Sequence, residues 1–410
     1  MNIYLIIILT ALILDFVLSI ITDVLNLKAL SDKLPAEFEG VYDEKTYSRS
    51  QEYTRVNTKF GFIAEVFGLI VTLVFWFSGG FNWLDQVVRG WFIGPIVIGL
   101  VYIAILVFAK MLISLPFGIY KTFVIEEKFE FNKTTPATFI KDIIKSLLLS
   151  IILGGPLIAG ILWFFEYAGT LAWLYCWIAS IVFILFIQYI APTWIMPLFN
   201  KFTPIEPGEL KDSILKYAES VKFSLKGVFV MDGSKRSAKS NAFFTGFGKN
   251  KRIALFDTLI KKHTVGELVA VLAHEIGHYK KKHIIIGMII SIMHMGVMFY
   301  LISIFISHRG LFDAFFMEEM AIYTGLIFFG MLFSPIEMIL SIFMNIFSRR
   351  NEYQADRFAV ETRDNKDDMI DALKKLSKDN LSNLTPHQMN VFLNYSHPPV
   401  LVRIEAIRNI

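Results

Sequence analysis

Apolar positions in this chain neither alternate with polar ones nor recur as narrow helical stripes. They run unbroken for about 20 residues at a time, the length a helix needs to cross a bilayer. Seven such runs stand out, roughly 3 to 25, 62 to 78, 91 to 115, 147 to 165, 170 to 191, 284 to 306 and 320 to 347. Each predicts a transmembrane helix. Two polar stretches between and after them, 192 to 283 and 348 to 410, are long enough to fold in water. The first run carries Asp15 and Asp23 and has no basic lead or small-residue cleavage site, so it is expected to be retained.

Composition agrees. Of 410 residues 55% are apolar, 15% aromatic and only 19% charged, with a mean hydropathy of +0.54. This excludes disorder and fibrous repeats, and a single soluble core would leave too much apolar surface exposed. A net charge of +4 gives no footprint for nucleic acid. One cysteine, Cys176, excludes both a disulfide framework and a cysteine metal cluster.

Placement of the basic residues matters more than their sum. Segments 26 to 61, 116 to 146, 192 to 283 and 348 to 410 hold six, five, sixteen and ten Lys or Arg, whereas 79 to 90 and 307 to 319 hold one each. Basic residues are retained on the cytoplasmic side, so the amino terminus is expected outside and the carboxyl terminus in the cytoplasm. Cysteine labelling that put positions 30 and 405 on opposite sides would overturn this topology. The membrane would be the endoplasmic reticulum in a eukaryote and the cytoplasmic membrane in a prokaryote. Asp15, Glu65, Lys110, His294 and Glu337 fall inside spans, where they either line a water-filled cavity, pair between helices or snorkel to a headgroup.

The run Leu268 to Lys282, LVAVLAHEIGHYKKK, has helical periodicity and a basic end. His274 and His278, spaced i, i+4, therefore share a face and can bind one Zn2+ ion, while Glu275 can serve as general base toward a metal-bound water. A catalytic zinc needs a third protein ligand. Downstream, Asn351 to Ala359 reads NEYQADRFA. Glu352 is the candidate third ligand, and Asp356, one turn on, the candidate partner fixing the tautomer of His274 or His278. The 73 residues between His278 and Glu352 contain two spans, an even number, so both ends return to one side. His263, His283, His308 and His387 have no partner in this pattern and read as non-catalytic.

Beyond LAHEIGHY, the stretches PFGIYKTFVIEEKFEFNKTTP at 116 to 136, PLFNKFTPIEPGEL at 197 to 210, SKRSAKSNAFFTGFGKNKRIALFDTLI at 234 to 260 and SHPPVLVRI at 396 to 404 give a resemblance along most of the chain. It resembles the type I CaaX prenyl endopeptidases, multi-spanning zinc metalloproteases of the gluzincin type that mature prenylated mating pheromone and prelamin A. The resemblance implies a mainly α membrane protein, with seven helices forming a barrel around a large chamber and a zincin-like metalloprotease domain at its cytoplasmic end. His274, His278 and Glu352 would be the zinc ligands and Glu275 the base. Asn241 would sit on an edge strand that hydrogen-bonds substrate backbone, and His397 and Arg403 would stabilise the oxyanion. The expected division is 1–191 for helices 1 to 5, 192–283 for the segment bearing the HExxH helix, 284–347 for helices 6 and 7, and 348–410 for the segment completing the site. The expected partners are the bilayer and a membrane-associated, prenylated peptide or protein that loses its C-terminal tripeptide. Two alternatives stay open: a quality-control endopeptidase of broad substrate range, and a non-catalytic transporter or scaffold holding a structural zinc.

Overall fold

The computed structural model describes residues 2–91, 94–225, 227–245 and 252–410. Residues 246–251 of the 234 to 260 stretch therefore lie outside the described residues. In chain order, the first helices are α1 (Ile3–Lys28), α2 (Glu44–Phe77), α3 (Gly80–Arg89), α4 (Pro95–Glu126), α5 (Pro136–Tyr167) and α6 (Gly169–Phe199). Next come strand β1 (Phe202–Pro204), helix α7 (Glu209–Ser220), and strands β2 (Gly227–Met231), β3 (Ala242–Thr245) and β4 (Arg252–Phe256). Helices α8 (Val265–Lys280), α9 (His283–Phe305), α10 (Arg309–Asp313), α11 (Ile322–Glu361), α12 (Asp367–Asp379), α13 (Gln388–Asn394) and α14 (Val400–Arg408) follow.

Seven of these, α1, α2, α4, α5, α6, α9 and α11, are long and apolar enough to cross a membrane, and they coincide with the seven predicted runs. Their starts are set locally. The Asn2 side chain accepts from the amides of Tyr4 and Leu5, Asp43 accepts from Thr46, and Pro95 and Pro136 supply a fixed φ in the first turn. Several helices outrun the expected spans: α2 begins at Glu44, well before 62, α4 continues to Glu126 past 115, α5 begins at Pro136 ahead of 147, α6 reaches Phe199 past 191, and α11 continues to Glu361 without a break at 347. Hydropathy marks the stretch immersed in lipid, and nothing in the polar continuations stops a helix.

Burial is concentrated at the two ends. At the basic-poor end, α3 and α10 fold over the barrel in an aromatic cap: Trp76 donates from Nε1 to the Ala314 carbonyl at 2.8 Å, and Phe315 stacks on Phe328 at 3.9 Å. At the opposite end two cores join the soluble segments, one around Ile253, Leu255, Leu272 and Ile276, the other around Phe38, Tyr42, Ile370 and Ile404. Along the spans themselves, 6 to 17% of each most apolar window is buried. Helices filling a solid bundle would bury a whole face each. These stand around a hollow.

Within the spans, Ser19 donates to Glu65 at 2.9 Å, and His294 lies 3.1 Å from Glu337. Interhelical pairing thus accounts for three of the intramembrane ionisable groups.

The sheet has the order β1-β2-β4-β3. β2 and β4 run parallel, and β1 and β3 are antiparallel to their neighbours. Among the described residues β3 pairs only with β4, leaving its outer edge open. The segment leading into β3 is tied to the spans: Lys239 donates to the Tyr53 hydroxyl at 2.7 Å and lies 3.0 Å from Glu126, while Tyr53 donates to Glu126 at 2.6 Å.

Candidate metal centre

Helix α8 starts at a capping box. Thr264 accepts from the Glu267 amide, and the Glu267 carboxylate accepts from the Thr264 amide and from Lys375. Every residue from Glu267 to His274 is buried, so this is the central helix of the soluble domain. Its i, i+4 spacing brings the His274 and His278 rings within 4.8 Å, with their Nε2 atoms 3.1 Å apart.

α11 crosses α8 at Gly277. A Cβ there would lie 3.1 Å from both the Cα and the carbonyl oxygen of Ala355, so the absence of a side chain sets the close approach of the two helices. Ala355 sits between Glu352 and Asp356, and the approach carries both acids into the site. Glu352 places Oε1 3.2 Å from His278 Nε2 and Oε2 3.5 Å from His274 Nε2. Asp356 Oδ1 is 2.8 Å from His274 Nδ1.

Arg403, from α14, forks onto Asp356 with Nε to Oδ2 at 2.8 Å and Nη2 to Oδ1 at 2.6 Å. Its Nη1 is 3.4 Å from Glu352 Oε2. All of this is buried, with Asp356 1% and Glu352 3% exposed. Burial alone would lower the His274 imidazole, yet hydrogen bonds to Asp356 and Glu352 outweigh it and raise it to about 9. The site attracts positive charge. Burial would lower the Arg403 guanidinium, but Asp356, Glu352 and Glu275 hold it above its usual range.

Among the described residues, His274, His278 and Glu352 are the group whose ligand atoms converge, all within 4.8 Å of one another. Glu352 Oε2 is buried and makes no hydrogen bond among the described residues, only the longer ion-pair contacts to Arg403 Nη1 and His274 Nε2, which leaves it room for a closer ligand bond to a metal. Two imidazoles and one carboxylate form the donor set of a catalytic zinc site, so the residues present fit that ion.

Glu275 is half-buried and lines a cavity of about 400 Å3 together with Asn241, His274, His278, Glu352, His397 and Arg403. All eight residues singled out from the sequence therefore meet at one place, seven on the cavity wall and Asp356 behind it. His397 is 64% exposed at its side chain, with Nε2 3.4 Å from Glu352 Oε1. Asn241 immediately precedes β3; its carbonyl accepts from the Phe256 amide at 3.1 Å and its Oδ1 from the Ala242 amide at 2.8 Å. A second cavity, about 500 Å3, lies at the other end beside Arg89, Glu166 and Tyr323, away from the converging ligands.

Two features departed from expectation. His283 is a partner of the site: its Nδ1 is 3.1 Å from His278 Nδ1. The i, i+5 spacing puts it on another face of a continuous helix, but Lys282 adopts φ +61° and turns the chain so that His283 folds back over His278. Asn380, at the end of α12, was not legible either. It accepts from the Ser240 amide at 3.0 Å and donates to the Ser240 carbonyl at 3.2 Å, clamping the approach to β3 from 140 residues away.

Known proteins resemble both halves. Residues 23–201 match the family model described as CAAX prenyl protease N-terminal, five membrane helices, and residues 204–410 match peptidase family M48. CAAX prenyl protease 1 of Saccharomyces cerevisiae is 36% identical over 407 residues, covering 93% of this chain and 89% of the yeast protein. The Homo sapiens homologue is 34% identical over 422 residues, covering 92% and 88%. The crystal structure of S. mikatae Ste24p superposes with a TM-score of 0.93 at 34% identity, over 98% of this chain and 99% of that one. With fold, helix count and similarity agreeing from end to end, this chain belongs to peptidase family M48 and is a multi-pass membrane metalloendopeptidase.

Proposed function

We propose that this chain removes the C-terminal tripeptide from prenylated CaaX proteins or peptides, using one zinc ion held by His274, His278 and Glu352. The observation that carries this reading is the convergence of those three ligands with Glu275 on a cavity beside the open edge of β3, at the basic-rich end of a hollow membrane barrel. The relatives named as CAAX prenyl proteases supply the substrate class. The charge pattern of the loops supports a site on the cytoplasmic side. We divide the chain accordingly into 1–191, 192–283, 284–347 and 348–410, with α11 bridging the last two.

Zinc held by His274, His278 and Glu352 would supply Lewis acidity and lower the pKa of a water bound there. Glu275 takes a proton from the attacking water as the C–O bond forms, and returns it to the leaving amine as the C–N bond breaks. Asp356 accepts from Nδ1–H of His274, which leaves Nε2 of that ring free to ligate. Arg403 stays charged in its buried place through Asp356 and presents Nη1 toward the cavity. With His397 it stabilises the negative charge that develops on the carbonyl oxygen, an effect worth about 3 kcal/mol for a well-aimed donor. Asn241 and the free edge of β3 hold the peptide extended by strand addition, which orients a backbone without reading its side chains.

The non-catalytic transporter or scaffold falls away with family membership. The broader quality-control endopeptidase is separated by substrate. Detergent-purified protein should release the terminal tripeptide from a farnesylated CaaX peptide and cleave the unprenylated peptide at least about tenfold less efficiently, since the lipid contributes apolar binding area. Equal cleavage of both peptides would favour the broader activity.

A further inference from the structure

Among the described residues, His278 Nδ1 faces Nδ1 of His283 at 3.1 Å, and His283 Nε2 faces Oε1 of Gln354 at 3.1 Å. His283 is 7% exposed. This row of contacts runs outward from the ligand cluster to the exposed Gln354, and no step above uses it. We propose that His283 and Gln354 form a hydrogen-bond relay that holds His278 in the tautomer able to ligate metal. The inference rests on the reading of His278 as a ligand.

Proton order follows from the terminal group. The amide oxygen of Gln354 is an acceptor only, so His283 Nε2 carries hydrogen and donates to it. His283 Nδ1 then has a lone pair and accepts from Nδ1–H of His278. That leaves the His278 Nε2 lone pair directed at the centre, where Glu352 Oε1 lies at 3.2 Å and His274 Nε2 at 3.1 Å. The reverse order would put hydrogen on His278 Nε2 and block ligation.

His274 and His278 are thus oriented by different means. A buried carboxylate, Asp356, backs the first, and a neutral imidazole–amide pair backs the second. The relay ends on an amide at the surface, so it fixes the tautomer of His278 without a second buried carboxylate behind the ligands. Gln354 stands two residues from both Glu352 and Asp356 on α11, so the same helix supplies one ligand and the outer support of both histidines.

The test uses full-length protein in detergent, stripped and titrated with Zn2+ against a competing chelator. Gln354 is surface-exposed, so its variants should leave the fold intact, which thermal unfolding of the stripped proteins checks. Gln354→Met keeps the side-chain length but removes the acceptor, and His283→Phe removes the middle member; both should weaken Zn2+ binding about 10- to 100-fold. Gln354→Glu retains an acceptor and should stay within about threefold of wild type, a rescue that a packing role would not produce. Unchanged affinity in Gln354→Met, or equal losses in Gln354→Met and Gln354→Glu, overturns the relay while leaving the metal centre standing. Wild-type protein that bound no Zn2+ would overturn the metal centre and the relay together.

Discussion

Glu275→Gln is expected to lower kcat by about 100- to 10,000-fold while leaving zinc bound, the signature of a lost general acid–base. Glu275 lies beside His274 in sequence but outside the triangle formed by the three ligand atoms. Half-buried on the cavity wall, it forms no hydrogen bond or salt bridge among the described residues. Its carboxylate acts on Arg403 through space but holds no direct partner in the fold. Glutamine keeps the shape and removes the proton acceptor, so the ligands and the helix around them should be untouched. Turnover of a farnesylated CaaX peptide and metal content would be measured on one preparation. Zinc lost together with activity would make Glu275 a ligand or a structural anion instead.

Glu352→Gln should act through the metal. Glu352 is the one anionic ligand, and its Oε2 has only ion-pair contacts, to Arg403 and His274, with no hydrogen bond among the described residues. Replacing it leaves two neutral imidazoles, so zinc affinity should fall by more than the roughly 100-fold that an outer-shell partner commands. Activity at limiting zinc should fall with it. The fold should persist, because Arg403 keeps both of its hydrogen bonds to Asp356. Thermal unfolding in excess chelator should therefore be close to wild type. A large drop under those conditions would show Glu352 to be part of the structural ion-pair network, and stoichiometric zinc at full affinity would remove it from the ligand set.

Much of this site is legible in the sequence alone. His274, His278, Glu352 and Asp356 were legible because a helix makes i, i+4 neighbours of them, and that rule needs only the sequence. The even number of spans between the two motifs was legible because lipid selects long apolar runs. His283 escaped the same rule. It depends on a left-handed residue at Lys282, an uncommon conformation for a side-chain-bearing residue and one that no local pattern announces. Gln354 drew no notice because an exposed glutamine between two acids reads as helix surface until the turned-back His283 is placed against it. Asn380 clamps Ser240 through a tertiary contact with no periodicity at all. The helix ends at Glu44 and Glu361 were missed for a related reason: hydropathy reports the lipid contact, whereas the helix continues wherever nothing stops it.

Helix α11 deserves its length. Running from the aromatic cap to the metal centre, it joins the barrel to the site in one continuous helix, and Gly277 sets how closely α8 lies against it. The ligand triangle is therefore built on two helices held in close contact at Gly277.

The most direct test of the centre is X-ray absorption at the zinc edge on purified, full-length protein, with metal stoichiometry measured alongside. The account predicts one zinc per chain, bound by two imidazole nitrogens and carboxylate or water oxygens at about 2.0 to 2.2 Å. A sulfur ligand at about 2.3 Å, or a spectrum unchanged in His274→Ala, would place the metal elsewhere and contradict it.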